Sequence, residues 1–382
     1  MQLPWLIISA VLLIGLVAAV YRRRALKGIR YERYFSKRAA FEGDEVEMIE
    51  VIANAKLLPL PWLRLESSIP AGLAFGKQSN LAIHAGEIYQ NHSSLFHLRP
   101  YRQITRRHKV GCARRGLYRL ESATMTTGDP LGLNSEVKRF PLDLELLVYP
   151  RAVPLEELPL PNHSWLGEVT VRRWIVEDPF LTAGIRAYRP GDPLSQINWK
   201  ATARTGELQV HKRDYTADHR LVICLNVEVS DSMWRTVTAP ERIELGIRYA
   251  ASVAEYALRN GLSAGFICNA RLTDGPAEPV RIEPQAATDQ LELLLKTMAR
   301  LVLDRTVSMV RLLELELEAG AADTDYLIIS CHWGEKLAET AELLRRGGNG
   351  VEWMEIPDWA DQGSGEAGEF DEWMSSFSSF SS

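Results

Sequence analysis

The chain has 382 residues, 46% hydrophobic and 24% charged, which leaves room for two or three domains and excludes general disorder. Its formal net charge of −5 hides a segregation that says more about partners than the mean does. Tyr21 to Arg38 carries eight Lys/Arg against one acid, Arg99 to Arg119 eight and no acid, and Val351 to Ser382 eight Asp/Glu and no base.

Leu3 to Val20 is free of charge and rich in Leu, Ile, Val and Ala. As a helix it would rise ~27 Å, enough to cross a bilayer core. Trp5 and Tyr21 bracket it as interfacial aromatics do, and Arg22, Arg23, Arg24, Lys27 and Arg30 follow it. A secretory signal places its positive charges before the apolar run, so the pattern predicts an uncleaved anchor at residues 3–20 with the body in the cytoplasm. Residues 21–40 read as a basic juxtamembrane segment of helical character, suited to anionic lipid or to plain solvation.

Residues 41–150 read as a β-rich domain. Val46, Met48 and the Val51-Ile52 pair suggest strand alternation, and Pro59-Leu60-Pro61, Pro70-Ala71-Gly72, Gly86-Glu87 and Thr127-Gly128-Asp129-Pro130 mark turns. Leu142 to Tyr149 is one further strand, and the whole suggests a small β-sandwich. The basic run from Arg99 has aromatics only at Tyr101 and Tyr118, which argues for a membrane or acidic partner and against nucleic acid.

Cys112, Cys224, Cys268 and Cys331 are scattered, with no C-x-x-C pair, and are expected to be reduced thiols in the interior. The eight histidines show no metal-ligand spacing, His92 and His97 being five apart. The sequence has no phosphate-binding loop, no G-x-S-x-G elbow and no H-E-x-x-H. We expect no enzyme.

Residues 151–219 form a connector ending in a dense motif. Pro190-Gly191 is a turn pair, Asp192 a good helix N-cap, Pro193 suits a first helical position, and Gly206 a left-handed stop after Arg204 or Thr205. Arg186, Arg189, Lys200 and Arg204 suit an anion or an acidic partner surface. Equally, Arg186 or Arg204 can pair with Asp192 or Glu177 while Tyr188, Ile197 and Trp199 pack a seam between domains and the motif joins the following sheet.

The string resembles the signature of the bacterial domain of unknown function 58 family, at Arg186, Tyr188, Pro190, Gly191, Asp192, Ile197, Asn198, Trp199, Lys200, Ala203 and Arg204. Arg115-Gly116-Leu117-Tyr118 and Gly128-Asp129-Pro130-Leu131-Gly132-Leu133 are weaker echoes of it. The family often has a pair of spanning helices, whereas one is visible here. The resemblance implies a von Willebrand A-like second half and a link to MoxR-type AAA+ ATPases.

Residues 220–360 alternate strands (Leu221 to Val227, Leu262 to Cys268, Tyr326 to Ser330, Val351 to Ile356) with helices (Pro240 to Asn260, Asp289 to Arg300, Val307 to Glu318, Glu335 to Arg346). This predicts a doubly wound parallel sheet. By the resemblance, a D-x-S-x-S metal site would fall after the first strand. Here Glu228, Ser230 and Ser232 stand in those positions, a degenerate set for Mg²⁺ with glutamate one methylene too long and Asp231 one place off the pattern. The later loop offers Cys331 and His332 in place of an aspartate, and both suit magnesium poorly.

Residues 361–382 read as an acidic, Ser-rich disordered tail, with Phe370, Trp373, Met374, Phe377 and Phe380 at near-helical spacing. The expectation is an α+β multidomain protein: a transmembrane helix, a β-sandwich-like domain and a von Willebrand A-like doubly wound α/β domain. Its expected role is a membrane-anchored, non-enzymatic adaptor partnering a MoxR-type AAA+ ATPase. A metal-dependent ligand-binding protein and a cryptic envelope hydrolase or transferase are the alternatives.

Overall fold

A computed structural model describes residues 3–76, 81–84, 86, 88–159, 182–188, 197–213, 220–231, 233 and 237–358. The chain is a mixed α+β protein that divides into two compact units between Tyr149 and Pro150.

The first unit opens with helix α1 (Leu3–Arg24), long and apolar enough by length and composition to cross a membrane. From Trp5 to Leu16 its side chains are exposed, whereas Tyr21, Ala25 and Leu26 are buried in the unit's core. The basic stretch that follows is not helical. It forms strand β1 (Ile29–Phe35), which pairs antiparallel with β3 (Glu45–Asn54), Arg33 opposite Glu50. Alternating burial along β1 is what favours a strand here, since Ile29, Arg33 and Phe35 turn inward while Arg30 and Glu32 face water.

Two sheets build this unit. One has the order β1-β3-β8-β5, with β5 (Leu73–Phe75) and β8 (Gln103–Cys112). The other runs β2-β10-β9-β4-β7-β6, from β2 (Ala39–Phe41), β4 (Leu60–Pro70), β6 (Ala82–His84), β7 (Tyr89–Leu98), β9 (Gly116–Gly128) and β10 (Ser135–Tyr149). The sheets share two apolar clusters. One holds Ile52, Leu63, Leu65, Phe96 and Met125 with the end of α1; the other holds Met48, Ile69, Val110, Leu120 and Val148.

A polar layer lies between them. Inward positions of β1, β3 and β8 place Arg33, Glu50 and His108 together, opposite Ser67 of β4 and His92 and Ser94 of β7, around a small cavity. Arg33 donates from Nε to Glu50 Oε1 at 3.0 Å, and the Tyr31 hydroxyl donates to the same oxygen at 2.9 Å. His108 Nε2 lies 3.0 Å from Glu50 Oε2. Among the described residues Arg33 Nη1 and His92 Nε2 have no protein partner, which suits one buried water. The basic run from Arg99 is therefore dispersed over strands: Arg106 turns inward to Ser94 at 2.9 Å, and Arg107 and Lys109 meet Glu47 and Glu45 at 3.4 and 3.0 Å.

This layer makes the first unit acid-sensitive. Burial alone would raise the Glu50 carboxyl, but His108 and Arg33 overrule it and bring it down from 4.5 to about 2. Burial, with the charges of Arg33 and His108, brings His92 down from 6.5 to about 4. Below pH 6.5 the unfolded chain takes a proton at His92 before the folded one does, and below 4.5 it does so at Glu50. Stability should therefore fall progressively from pH 6.5 downward, by up to about 4 kcal/mol on reaching pH 4, less whatever solvent screening removes. Denaturant midpoints at pH 7, 5 and 4 measure it, and an unchanged midpoint contradicts it.

The second unit begins with a small module. β11 (Thr182–Ala187) and β12 (Gln209–Arg213) pair antiparallel as a two-stranded sheet that, among the described residues, does not join the larger one. Between them lies α2 (Trp199–Thr205). The main sheet has the order β16-β14-β13-β18-β19, from β13 (Arg220–Leu225), β14 (Ser263–Cys268), β16 (Val280–Gln285), β18 (Thr324–Ser330) and β19 (Gly350–Glu355). Four strands are parallel, and β16 adds an antiparallel edge. β15 (Ala270–Leu272) and β17 (Leu301–Arg305) form a second short pair.

Helices cover both faces of the main sheet. α5 (Met309–Glu318) and α6 (Glu335–Arg346) pack on Val222, Cys224, Tyr326 and Ile328. α3 (Pro240–Arg259) covers the opposite face, the Leu225 side, and α4 (Gln290–Ala299) packs beside it. Its Gly246 lies so close that a Cβ there would stand 2.5 Å from Ile356 Cδ1 and 3.2 Å from Leu225 Cδ1.

Candidate functional site

Parallel strands bring their C-terminal ends to one edge of the sheet, and the helices after β13 and β18 depart to opposite faces. The ends of these two strands therefore form the switch point of the sheet, where such folds usually place a ligand or partner in a crevice. Its floor is a buried amide network. Asn226, just past β13, donates from Nδ2 to Ser330 Oγ at 3.0 Å and accepts at Oδ1 from Asn269 Nδ2 at 2.9 Å and from the Glu228 amide at 3.0 Å. Asn269 Oδ1 accepts from the Val227 amide at 2.9 Å. One side chain thus ties the ends of three strands.

Above this floor stands Glu228. Its Oε1 is 2.7 Å from Arg305 Nη1, and its Oε2 accepts from the Met309 amide at the start of α5 at 3.3 Å. Both carboxylate oxygens are engaged, and a guanidinium already provides the counter-charge. The set does not fit Mg²⁺ as it stands, because a cation would have to displace Arg305. Ser230 follows in the same loop, and Ser232 lies outside the described residues. Among the described residues no group of three His, Cys, Asp or Glu could hold a metal. Accordingly, millimolar Mg²⁺ should leave the melting temperature of this unit unchanged. Arg305→Ala should cost about 1–3 kcal/mol by stranding a largely buried carboxylate. A Mg²⁺-dependent rise in the wild type contradicts this assignment.

The rim is formed by Asp231 and the loop after β18. Asp231 is exposed, with its Oδ1 3.1 Å from His332 Nε2 but out of hydrogen-bond alignment. Its carboxylate lies over Gly334, the N-cap of α6, where any Cβ would meet Oδ1 at 2.5 Å. Trp333 and Trp353 stack at 5.1 Å, and Trp353 Nε1 donates to the Ser330 carbonyl at 3.4 Å.

The signature motif is a second site. Arg186 lies on β11 opposite Val210, and the Tyr188 amide donates to the Leu208 carbonyl at 2.9 Å. Pro190, Gly191 and Asp192 lie outside the described residues, as do Arg189 and Pro193. The N-cap of α2 is Asn198: its side chain accepts from the Ala201 amide at 2.9 Å. Gly206 closes the helix at φ 74°, as its sequence position predicts. Ile197 is buried, whereas Trp199, placed in a packed seam from sequence, is 67% exposed. Lys200 and Arg204 are exposed on one face of α2. Asn226, Asn269 and Arg305 escaped sequence reasoning.

Residues 184–298 match the family described as "Protein of unknown function DUF58". The chain is 23% identical over 262 residues to "Uncharacterized protein YeaD" of Bacillus subtilis (strain 168), a match covering 69% of this chain and 61% of that protein's length. Among solved structures, similarity extends to a cohesin module from a family 33 glycoside hydrolase of Clostridium perfringens ATCC13124. That match has a TM-score of 0.23 and 10% identity, over 32% of this chain and 98% of that one. A non-cellulosomal cohesin from Archaeoglobus fulgidus has a TM-score of 0.22 and 14% identity, over 31% of this chain and 91% of that one. Scores this low carry no argument.

Proposed function

We propose, from the premise that the chain belongs to the DUF58 family, that it is a membrane-anchored, non-enzymatic adaptor. In this reading α1 spans a bacterial inner membrane, both units lie in the cytoplasm, and the sheet-top crevice docks a MoxR-type AAA+ ATPase. The orientation rests on Arg22, Arg23, Arg24, Lys27 and Arg30 beyond the apolar run. A four-stranded parallel core with helices on both faces supports a von Willebrand A-like reading of the second unit. The ATPase link rests on the family resemblance.

The observation that carries the adaptor role is the construction of the crevice floor. Asn226, Asn269, Ser330 and Glu228 satisfy one another and Arg305, which gives a rigid surface of fixed shape. Asp231, His332 and the Trp333–Trp353 stack at its rim supply charge and aromatic area for a protein partner. The test is a mild-detergent pull-down with the full chain, with and without ATP. Recovery of an ATPase whose yield depends on nucleotide supports the reading. Recovery of none under either condition overturns it.

A further inference from the structure

The end of the β unit from which α1 leaves is a single surface made of four loops. Residues 25–28 end the helix, and the Ala55 amide donates to the Gly28 carbonyl at 3.0 Å. Lys56 Nζ donates to the carbonyls of Ala25 and Lys27, capping the helix C-terminus. The Tyr101 amide donates to the Lys56 carbonyl at 3.3 Å, and Asn54 Nδ2 reaches the Arg99 carbonyl at 3.1 Å. Glu136 accepts from the Leu26 amide at 3.0 Å, which brings the 129–134 loop to the same end.

These loops hold apolar side chains outward. Leu57 is 74% exposed, Tyr101 68%, Leu131 60% and Leu133 61%. The exposure is built in. Asp129, buried, accepts from the amides of Leu131, Leu133 and Asn134 at 2.9, 3.1 and 2.6 Å, and Gly132 turns at φ 74°. That fixed loop is the Gly128–Leu133 motif, whose role the crevice leaves unexplained. Tyr101 stands at φ 50°, a conformation side chains rarely adopt. Around these apolar tips Arg22, Arg23, Arg24, Lys27, Arg99 and Arg102 are exposed. The acids of this end, Asp129 and Glu136, are turned onto backbone amides.

The length of α1 sets the level of this surface. Val17 and Ala18 belong to the apolar run yet are already covered by the β unit. Leu3 to Leu16 rises only ~21 Å, short of the ~30 Å hydrocarbon core. The helix completes the span only if the loops packed around its last turns sit in the headgroup layer.

We infer that this end of the β unit is a lipid-docking surface, with Leu57, Tyr101, Leu131 and Leu133 in the interface of an anionic bilayer and the exposed arginines and Lys27 on its headgroups. The inference rests on α1 being an anchor. The β unit is then held against the membrane in one orientation and does not swing on a tether.

The test uses the full chain in nanodiscs of phosphatidylethanolamine and phosphatidylglycerol, with an environment-sensitive fluorophore at Leu131→Cys, Leu133→Cys or Ile88→Cys in a Cys331→Ser background. Ile88 is 73% exposed and adjoins Ala71, at the far end of β4 and ~33 Å from Leu60. A nitroxide lipid labelled at the headgroup should quench the probes at 131 and 133 at least twofold and leave 88 unchanged. In phosphatidylcholine discs the quenching should fall by at least half; equal quenching there overturns the role of the basic residues. Incorporation with 131 and 133 as unquenched as 88 overturns the inference and spares the anchor. Failure to incorporate at all overturns both.

Discussion

Glu50→Gln should cost the first unit about 3–5 kcal/mol, because it leaves Arg33 charged and almost fully enclosed without its carboxylate. The substitution is nearly isosteric, so the loss is electrostatic and not a cavity effect. The amide keeps a single oxygen, so its NH2 group faces either Tyr31 and Arg33 or His108, and one of the two sides loses its acceptor. Equilibrium denaturation should show an early transition for this unit. The second unit, with its own buried core, should unfold near its wild-type midpoint. Arg33→Met combined with Glu50→Leu should recover much of the loss, since removing both charges spares the desolvation of either. A loss below about 1 kcal/mol in the single variant contradicts the buried ion pair.

Asn226→Ala should destabilise the second unit by about 2–4 kcal/mol, because three hydrogen bonds vanish together and Asn269 Nδ2, fully buried, is left without an acceptor. The Glu228 amide is orphaned as well. The effect should spread beyond stability: the ends of β13, β14 and β18 lose their common tie, so partner capture through the crevice should fall with it. Ser330→Ala removes one link to Asn226 and also the Oγ contacts to the His332 carbonyl and amide at 2.6 and 3.1 Å, but it leaves the Asn226–Asn269 pair intact. A loss below about 1 kcal/mol for Asn226→Ala would contradict a hub at that position.

The main sheet and its helices were legible from sequence because their signals are local. The helix at Pro240 repeats apolar residues at helical spacing, and the strand after Arg220 is a continuous apolar run. That run also concealed the hub, since Asn226 sits inside Leu-Val-Ile-Cys-Leu-Asn-Val and reads as strand. β16 was missed because it is a half-exposed edge carrying Pro284, which speaks against strand in isolation.

The basic stretch reads as helical because arginine and lysine are good helix formers, and Arg22, Arg23 and Arg24 do end α1, yet from Ile29 the pairing of β1 with β3 overrides that preference. The polar layer of the first unit was invisible for a different reason. Arg33, Glu50 and His108 lie 17 and 58 positions apart, and only strand register turns them to one interior. The apolar helix α1 needed no such context, being contiguous.

Impermeant-maleimide labelling of Ile88→Cys in intact and disrupted spheroplasts, with membranes collected by sedimentation, tests the anchored, inward-facing body most directly. Cys331 does not serve, because burial pushes its thiol up to about 11 and leaves little thiolate to react. The expected result is protein in the membrane pellet that takes label only after disruption. Labelling of intact spheroplasts, or protein recovered in the soluble fraction, would contradict it.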